Sequence, residues 1–183
     1  KKKKNLGRRN NKRLSDIDNR KEFGHWDIDT KKKKKSNNDC VLLTILERKT
    51  RNAIIQKIES KTAEAVTGAL NRIRNIYGDK FSDIFKTITG DNGSEFADLS
   101  ILEAETDTKV YFTHPYSSFE KGTNERHNGL IRRFIPKGKR ISDYSVDNIG
   151  FIEEWMNTLP RKILDYRTPE ELFEKYLDEI YAA

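Results

Sequence analysis

TITGDNGSEF, Thr87 to Phe96, is the stretch from which the rest of the chain takes its place. A short β-type run, FKTIT, ends at Gly90; Asp91 follows at once, with Asn92-Gly93 behind it. An acid is thereby set at a strand end where the backbone turns, and Gly93 is expected to supply φ > 0 for that turn. Asp-Asn-Gly is also an ordinary connecting turn, so the stretch acquires chemical meaning only if other acids converge on Asp91.

Upstream, three β-type runs precede one helix. Phe23–Thr30, FGHWDIDT, has period two: His25, Asp27 and Asp29 share one face, Trp26 and Ile28 the other. Asp39–Glu47, DCVLLTILE, is nearly continuous and apolar, as a central strand would be, and Asn52–Ile58 follows after a four-residue polar link. Short links between three strands predict an antiparallel meander. Ser60 or Thr62 caps a helix running to Tyr77, with Val66, Leu70, Ile73 and Tyr77 on one stripe and Gly78 as its stop. Ile84–Thr89 is then the fourth strand and delivers Asp91 at its end. Between strands one and two, Lys31–Lys35 reads as a solvated loop.

Downstream, Ala97–Glu105 is expected to be a short helix and Lys109–Thr113 a fifth strand, giving the order β-β-β-α-β-α-β. Pro115 and Gly122 bound a loop. A helix begins at Thr123, with Leu130, Ile131 and Phe134 inward and Glu125, Asn128, Gly129 and Arg132 on a second, polar face. Ser145–Leu159 is amphipathic (Ile149, Ile152, Trp155, Met156, Leu159). Thr168-Pro169-Glu170-Glu171 combines a capping box with Pro at the first helical position and opens a last helix to Tyr181.

The composition fits one domain of 183 residues with a small core and a heavily charged surface: 34% hydrophobic and 36% charged residues. The net charge of +7 is uneven. Residues 1–39 hold 15 Lys and Arg against 6 Asp and Glu, and a smaller basic excess falls at 120–140, so a polyanionic partner is expected. Residues 1–20 read as a flexible arm or linker, and the chain, which does not begin with Met, is expected to be a piece of a longer protein. No apolar run approaches the roughly eighteen residues of a membrane span. A single cysteine, Cys40, excludes an internal disulfide, sits in an apolar strand as a core residue, and points to a reducing compartment, most simply a cytoplasm.

Among the acids, Asp29 ends the first strand, Asp91 ends the fourth, and Glu125 lies on the helix after the fifth. Were strands one and four adjacent, their ends would meet, and a helix packed across them would add the third carboxylate. Three converging carboxylates repel unless cations hold them together. Oxygen ligands without a Cys or His cluster favour Mg²⁺ or Mn²⁺ over zinc, and two such ions about 3.5–4 Å apart activate an attacking hydroxyl and stabilise a leaving oxygen in phosphodiester chemistry. Other chemistries fare worse. There is no GxxxxGK[ST] loop, Ser117-Ser118 lacks a GxSxG context, and His25, His114 and His127 have no zinc spacing and read as surface or hydrogen-bonding residues.

The blocks GHWDID, LLTILERKTR, ITGDNGSEFA, VYFTHPYSSFEKGTNERHNGLIRRFIPKG and LPRKILDYRTPEELF resemble, in order, the catalytic domain of bacterial insertion-sequence transposases of the IS-thirty type, DDE enzymes with a retroviral-integrase core. The likeness covers about residues 22–177, and 33 residues separate Asp91 from Glu125, as that family's second and third acids require. The resemblance implies an α/β, RNase H-like fold with a five-stranded mixed sheet in β-β-β-α-β-α-β-α order plus C-terminal helices. It implies an integrase core at 21–140, a helical extension packed on it at 141–183, and residues 1–20 as the arm from a missing helix-turn-helix DNA-binding domain. It also implies a catalytic, metal-holding set of Asp29, Asp91 and Glu125 with two Mg²⁺ or Mn²⁺ ions. The implied reaction is cleavage at transposon ends and transfer of the freed 3′-OH strand to target DNA. Tyr116, Lys121, Asn124, Arg126, Asn128, Arg132 and Arg133 become candidate DNA contacts, with Asn92, Asn124 and Asn128 as candidates for orienting substrate or a metal-bound water.

The implied setting is a bacterial cytoplasm, on the nucleoid, as a homodimer or higher oligomer on DNA. Asp27 stands where the family has Glu and shares a face with Asp29, so both remain candidates for the first ligand. Lys31–Lys35 replace a more apolar strand end and turn, and Phe119 and Lys121 stand where Trp and Arg are common. A nuclease of the same fold that cuts without joining, and an inactive DNA-binding module, are the alternatives.

Overall fold

A computed structural model describes Ile17, residues 20–31, 39–113 and 122–183, the side chains of residues 122–124 excepted. Most of the expected 1–20 arm, and Tyr116 and Lys121, lie outside the described residues. Five strands form one mixed sheet in the order β3-β2-β1-β4-β5: β1 His25–Lys31, β2 Val41–Glu47, β3 Ala53–Ile58, β4 Thr87–Gly90 and β5 Lys109–Phe112. The meander is antiparallel, with Asp27 opposite Leu46 and Asp29 opposite Thr44. β4 and β5 add in parallel, after crossovers through helix α1 (Ala63–Tyr77) with short α2 (Phe81–Ile84), and through α3 (Leu99–Glu105). Helices α4 (Gly122–Phe134), α5 (Val146–Asn157) and α6 (Pro169–Ala182) follow.

The tight β2–β3 link is built around a buried acid. Glu47 is fully buried; its Oε1 accepts the N–H of Gly24, and its Oε2 accepts the N–H groups of Lys49 and Thr50 and the Thr50 hydroxyl. Arg51 completes the turn in the left-handed region, φ 64°.

Both sheet faces are covered, which is why β2 is buried at every position. On one face Trp26, Ile28, Leu43, Ile45 and Ile88 meet Val66, Leu70 and Ile73 of α1, Phe81, Phe85 and Phe96, and Phe173 of α6. Trp26 stacks on Phe85 at 4.4 Å and donates its indole N–H to the Ile84 carbonyl. On the other, Leu42, Leu46, Ala53 and Ile55 meet Ile131 of α4 with Ile135, and Ile149, Ile152 and Met156 of α5. Directly opposed antiparallel residues point to the same side of a sheet. Asp27 and Asp29 therefore project on the side of Leu46, toward α4 and α5.

Several boundaries differ from the sequence reading. The fourth strand begins at Thr87, because Phe81, Ile84 and Phe85 bury one side of a helical turn. Gly93 has φ −67°, so its glycine is required by space and not by a left-handed turn. Lys31 is the last residue of β1 and not part of a loop, while residues 32–38 lie outside the described residues. Cys40 is half-buried just before β2. Among the described residues no helix is long and apolar enough to cross a membrane.

Candidate active site

The parallel pairing of β1 and β4 matches His25 with Thr87, Trp26 with Ile88 and Asp27 with Thr89. Neighbouring strands lie about 4.8 Å apart, and β4 ends at Gly90, directly before Asp91. Parallel neighbours at equal register present their side chains to the same face, and Asp29 and Asp91 each lie two residues beyond the last pair, Asp27 with Thr89.

Asp27 and Asp29 differ in what meets them. Asp27 Oδ1 accepts from both Nε (3.1 Å) and an Nη (2.8 Å) of Arg48, and both side chains are buried, so its charge is already compensated inside the protein. Asp29 sits nearer the rim. Its Oδ1 accepts the Thr30 N–H and its Oδ2 lies 2.7 Å from the Lys31 ammonium, a side chain still about a third exposed.

Asp91 follows β4 directly and accepts the Gly93 N–H at 2.8 Å, closing the turn on its own carboxylate. Asn92 donates to the Thr113 carbonyl at 2.7 Å, tying the ends of β4 and β5 together. Glu95, in the same turn, was not singled out by sequence. It is 2% exposed, accepts the Thr30 hydroxyl at 2.8 Å, and pairs with Lys61 at 3.0 Å. A side chain on Gly93 would put its Cβ 2.8 Å from Asp91 Oδ1 and closer still to the Glu95 carboxylate. The spacing of an acid four residues after Asp91 is the signal that could have found Glu95.

His25 is held between Thr87 Oγ1 (2.9 Å) and Glu22 Oε2 (2.8 Å), and burial pushes its pKa down against the opposing pull of Glu22. It is a hydrogen-bonding residue, as expected of it.

Glu125 lies in the first turn of α4 and is exposed. Among the described residues no three His, Cys, Asp or Glu side chains stand close enough to share a metal ion, so Asp29, Asp91 and Glu125 are not gathered into one cluster. The oxygen-only donors of Asp29 and Asp91 suit a hard divalent cation. Arg126, Arg132 and Arg133 are exposed on α4, Arg133 lying over the Trp155 ring at 5.9 Å. Asn128, on the polar face with Glu125, Gly129 and Arg132, is 6% exposed, whereas the other three are exposed.

Comparison with known proteins agrees with this architecture. The chain matches the integrase core domain over residues 19–118, a stretch that contains Asp29 and Asp91 but not Glu125. It is 40% identical over 172 residues to a probable transposase for insertion-like sequence element IS1161 from Streptococcus salivarius, covering 94% of this chain and 48% of that one. It is 38% identical over 175 residues to the transposase for insertion sequence element IS4351 from Bacteroides fragilis (90% and 51%). It is 35% identical over 167 residues to transposase InsI for insertion sequence element IS30A from Escherichia coli (89% and 41%). The chain thus spans about half the length of the relatives it matches. The crystal structure of the BIV integrase catalytic core domain superposes with a TM-score of 0.64 at 18% identity, covering 86% of this chain and 98% of that one. The fold is therefore that of a retroviral integrase core, RNase H-like, and the chain belongs to the integrase core domain family.

Proposed function

We propose that this chain is the catalytic part of a DNA transposase, which cleaves at the ends of a mobile element and joins the freed 3′-OH to target DNA. What supports this reading is the parallel pairing of β1 with β4, which runs to Asp27 and Thr89 just before Asp29 and Asp91, in a chain whose relatives are named transposases. Asp29 is favoured over Asp27 as the first ligand because Arg48 already neutralises Asp27 within the protein. Glu125, on the first turn of α4, is the third carboxylate of the set.

Two Mg²⁺ or Mn²⁺ ions held by these acids would supply the activation of the attacking hydroxyl and the stabilisation of the leaving oxygen. The chain's own residues arrange the rest. The Gly93 N–H fixes the Asp91 carboxylate, Thr30 and Lys61 hold Glu95 beside it, and the Asn92 amide locks the end of β4 to that of β5. Exposed Arg126, Arg132 and Arg133 would meet phosphates, and Tyr116, Lys121, Asn124 and Asn128 are the further DNA contacts of this reading. DNA, both element end and target, is the partner, engaged by a homodimer or larger assembly. The core comprises 21–140 and the helical extension 141–183.

The test is a strand-transfer assay on labelled DNA ends with Mg²⁺ or Mn²⁺. Wild type is expected to give cleaved and joined products, and Asp91→Asn neither. Cleavage without joining would move the reading to a nuclease. DNA binding with no metal-dependent product, in a protein carrying its end-recognition region, would overturn it.

A further inference from the structure

A cavity of about 590 Å³ opens between the β2–β3 turn, the first turns of α4 and the segment leaving α5. Its wall carries Arg20, Arg51, Arg126, His127, Arg161 and Lys162, and no carboxylate among the described residues that line it. These cations come from four separate parts of the chain, so their convergence is a property of the fold and not of a local basic run.

The cations are also held at some expense. Arg51 is 7% exposed and adopts φ 64°, a conformation that disfavours any residue with a Cβ by about 1–2 kcal/mol. Burial first, and then the Arg20 charge, pull its guanidinium down to about 10. Burial likewise lowers Arg20 and Arg161. Arg161 sends one Nη to the Met156 carbonyl at 2.7 Å and leaves its buried Nε–H without an acceptor. Like charges gathered in a concave site, with an N–H lacking an acceptor, call for an anion.

The cavity lies near the proposed catalytic set, since Arg20 and Arg51 in its wall both feel the charge of Asp27, which precedes Asp29 by two residues on β1. We propose that it binds a backbone phosphate of a DNA strand beside the processed site, with Arg161 and Lys162 of the C-terminal extension as its outer contacts. This assignment rests on the DNA-processing function proposed above. A planar guanidinium suits a phosphate oxygen pair, and an exposed ammonium beside it adds a point charge.

The experiment measures binding of the whole chain to a short DNA duplex across ionic strengths, for wild type, Lys162→Ala, Arg161→Gln and Lys175→Ala. Each lost phosphate contact lowers the slope of log K against log salt by about 0.9. Lys162→Ala and Arg161→Gln are expected to lower it by about 1 each, while Lys175→Ala, the same loss of charge on exposed α6, leaves it unchanged. Lys162 is exposed, so its variant is expected to fold. Equal slopes in all four proteins overturn the proposal, as does an equal fall for Lys162→Ala and Lys175→Ala. Thermal stabilisation of wild type by inorganic phosphate, lost in Arg161→Gln but with the DNA slopes equal, overturns it in favour of a small-anion site. The specific slope change together with no metal-dependent product from wild type supports the phosphate site while refuting the transposase reading.

Discussion

Asp27 and Asp29 differ by one pleat of β1 and by the cation that meets each. Arg48 answers Asp27 in the interior, so removing that guanidinium leaves a buried carboxylate uncompensated, a change that typically destabilises by about 3–5 kcal/mol. Arg48→Met is expected to lower the urea midpoint of unfolding accordingly, and adding Asp27→Leu is expected to recover a large part of the loss. Full additivity of the two losses would show that the pair is not coupled. Gly93 is constrained by space at the same site. Gly93→Ala sets a Cβ against Asp91 Oδ1 and the Glu95 carboxylate, so the acids must part or the turn must open. Metal-dependent cleavage is expected to fall at least about tenfold, an activation difference of about 1.4 kcal/mol, and unchanged initial rates would refute that constraint. At this scale the sequence offered Asp29 and Asp91 as candidates, because strand periodicity and a strand-ending turn are local signals. It did not show Arg48 as the partner of Asp27, which lies 21 residues away, nor Glu95 beneath Thr30, 65 residues away, because those pairings exist only once β1 lies beside β2 and β4.

Elements with a local cause were read closely, and those decided by packing were not. α6 begins where Thr168-Pro169-Glu170-Glu171 says it must. The Thr168 hydroxyl accepts the Glu171 N–H at 3.1 Å and the Glu171 carboxylate accepts the Thr168 N–H at 2.8 Å. Thr168→Ala removes the first of these bonds and is expected to destabilise by about 1 kcal/mol, measured by denaturant unfolding. Because α6 delivers Phe173 to the Trp26 face of the sheet, the loss is expected in the global transition, and fraying of α6 alone would show that this helix is not part of the core's cooperative unit. Residues 84–86 show the opposite case. Ile84 and Phe85 have strand-like composition, yet with Phe81 they form a helical stripe, and Phe85 stacks on Phe81 at 4.7 Å and on Trp26. A short apolar run fits either period, and here the tertiary ring stack decides. The burial of Asn128 has a related reason: helical periodicity groups it with Glu125 and Arg132 but does not say which part of that face the protein covers.

Across the whole molecule, the least local feature is how the C-terminal helices close the sheet. β3 is an edge strand, and an edge with open N–H and C=O groups invites pairing with another chain. Asn157 of α5 imitates a neighbouring strand here, its Oδ1 accepting the Ala53 N–H and its Nδ2 donating to the Ala53 carbonyl, both at 2.8 Å. Glu153, one turn earlier, accepts the Ile55 N–H at 2.6 Å, and the Asp39 carboxylate fastens Ile141 and Ser142 at 3.0 Å each. None of this is written in the local pattern of α5, which reads only as an amphipathic helix. Glu153 gives the closure a pH signature. Burial raises its pKa above the ordinary 4.5, outweighing the opposing N–H bond from Ile55. Between that raised value and 4.5 the folded chain holds more protons than the unfolded one, so stability increases as pH falls through this window. Above the window the penalty for a buried charge is fully present. Glu153→Gln keeps an acceptor for Ile55 and has no such titration. The difference in urea midpoint between wild type and Glu153→Gln is therefore expected to move in favour of wild type as pH drops toward 4.5, and to level off below it. A difference that stays flat over this range would mean that Glu153 is solvated, and that the edge of β3 is open to water where α5 is described as sealing it.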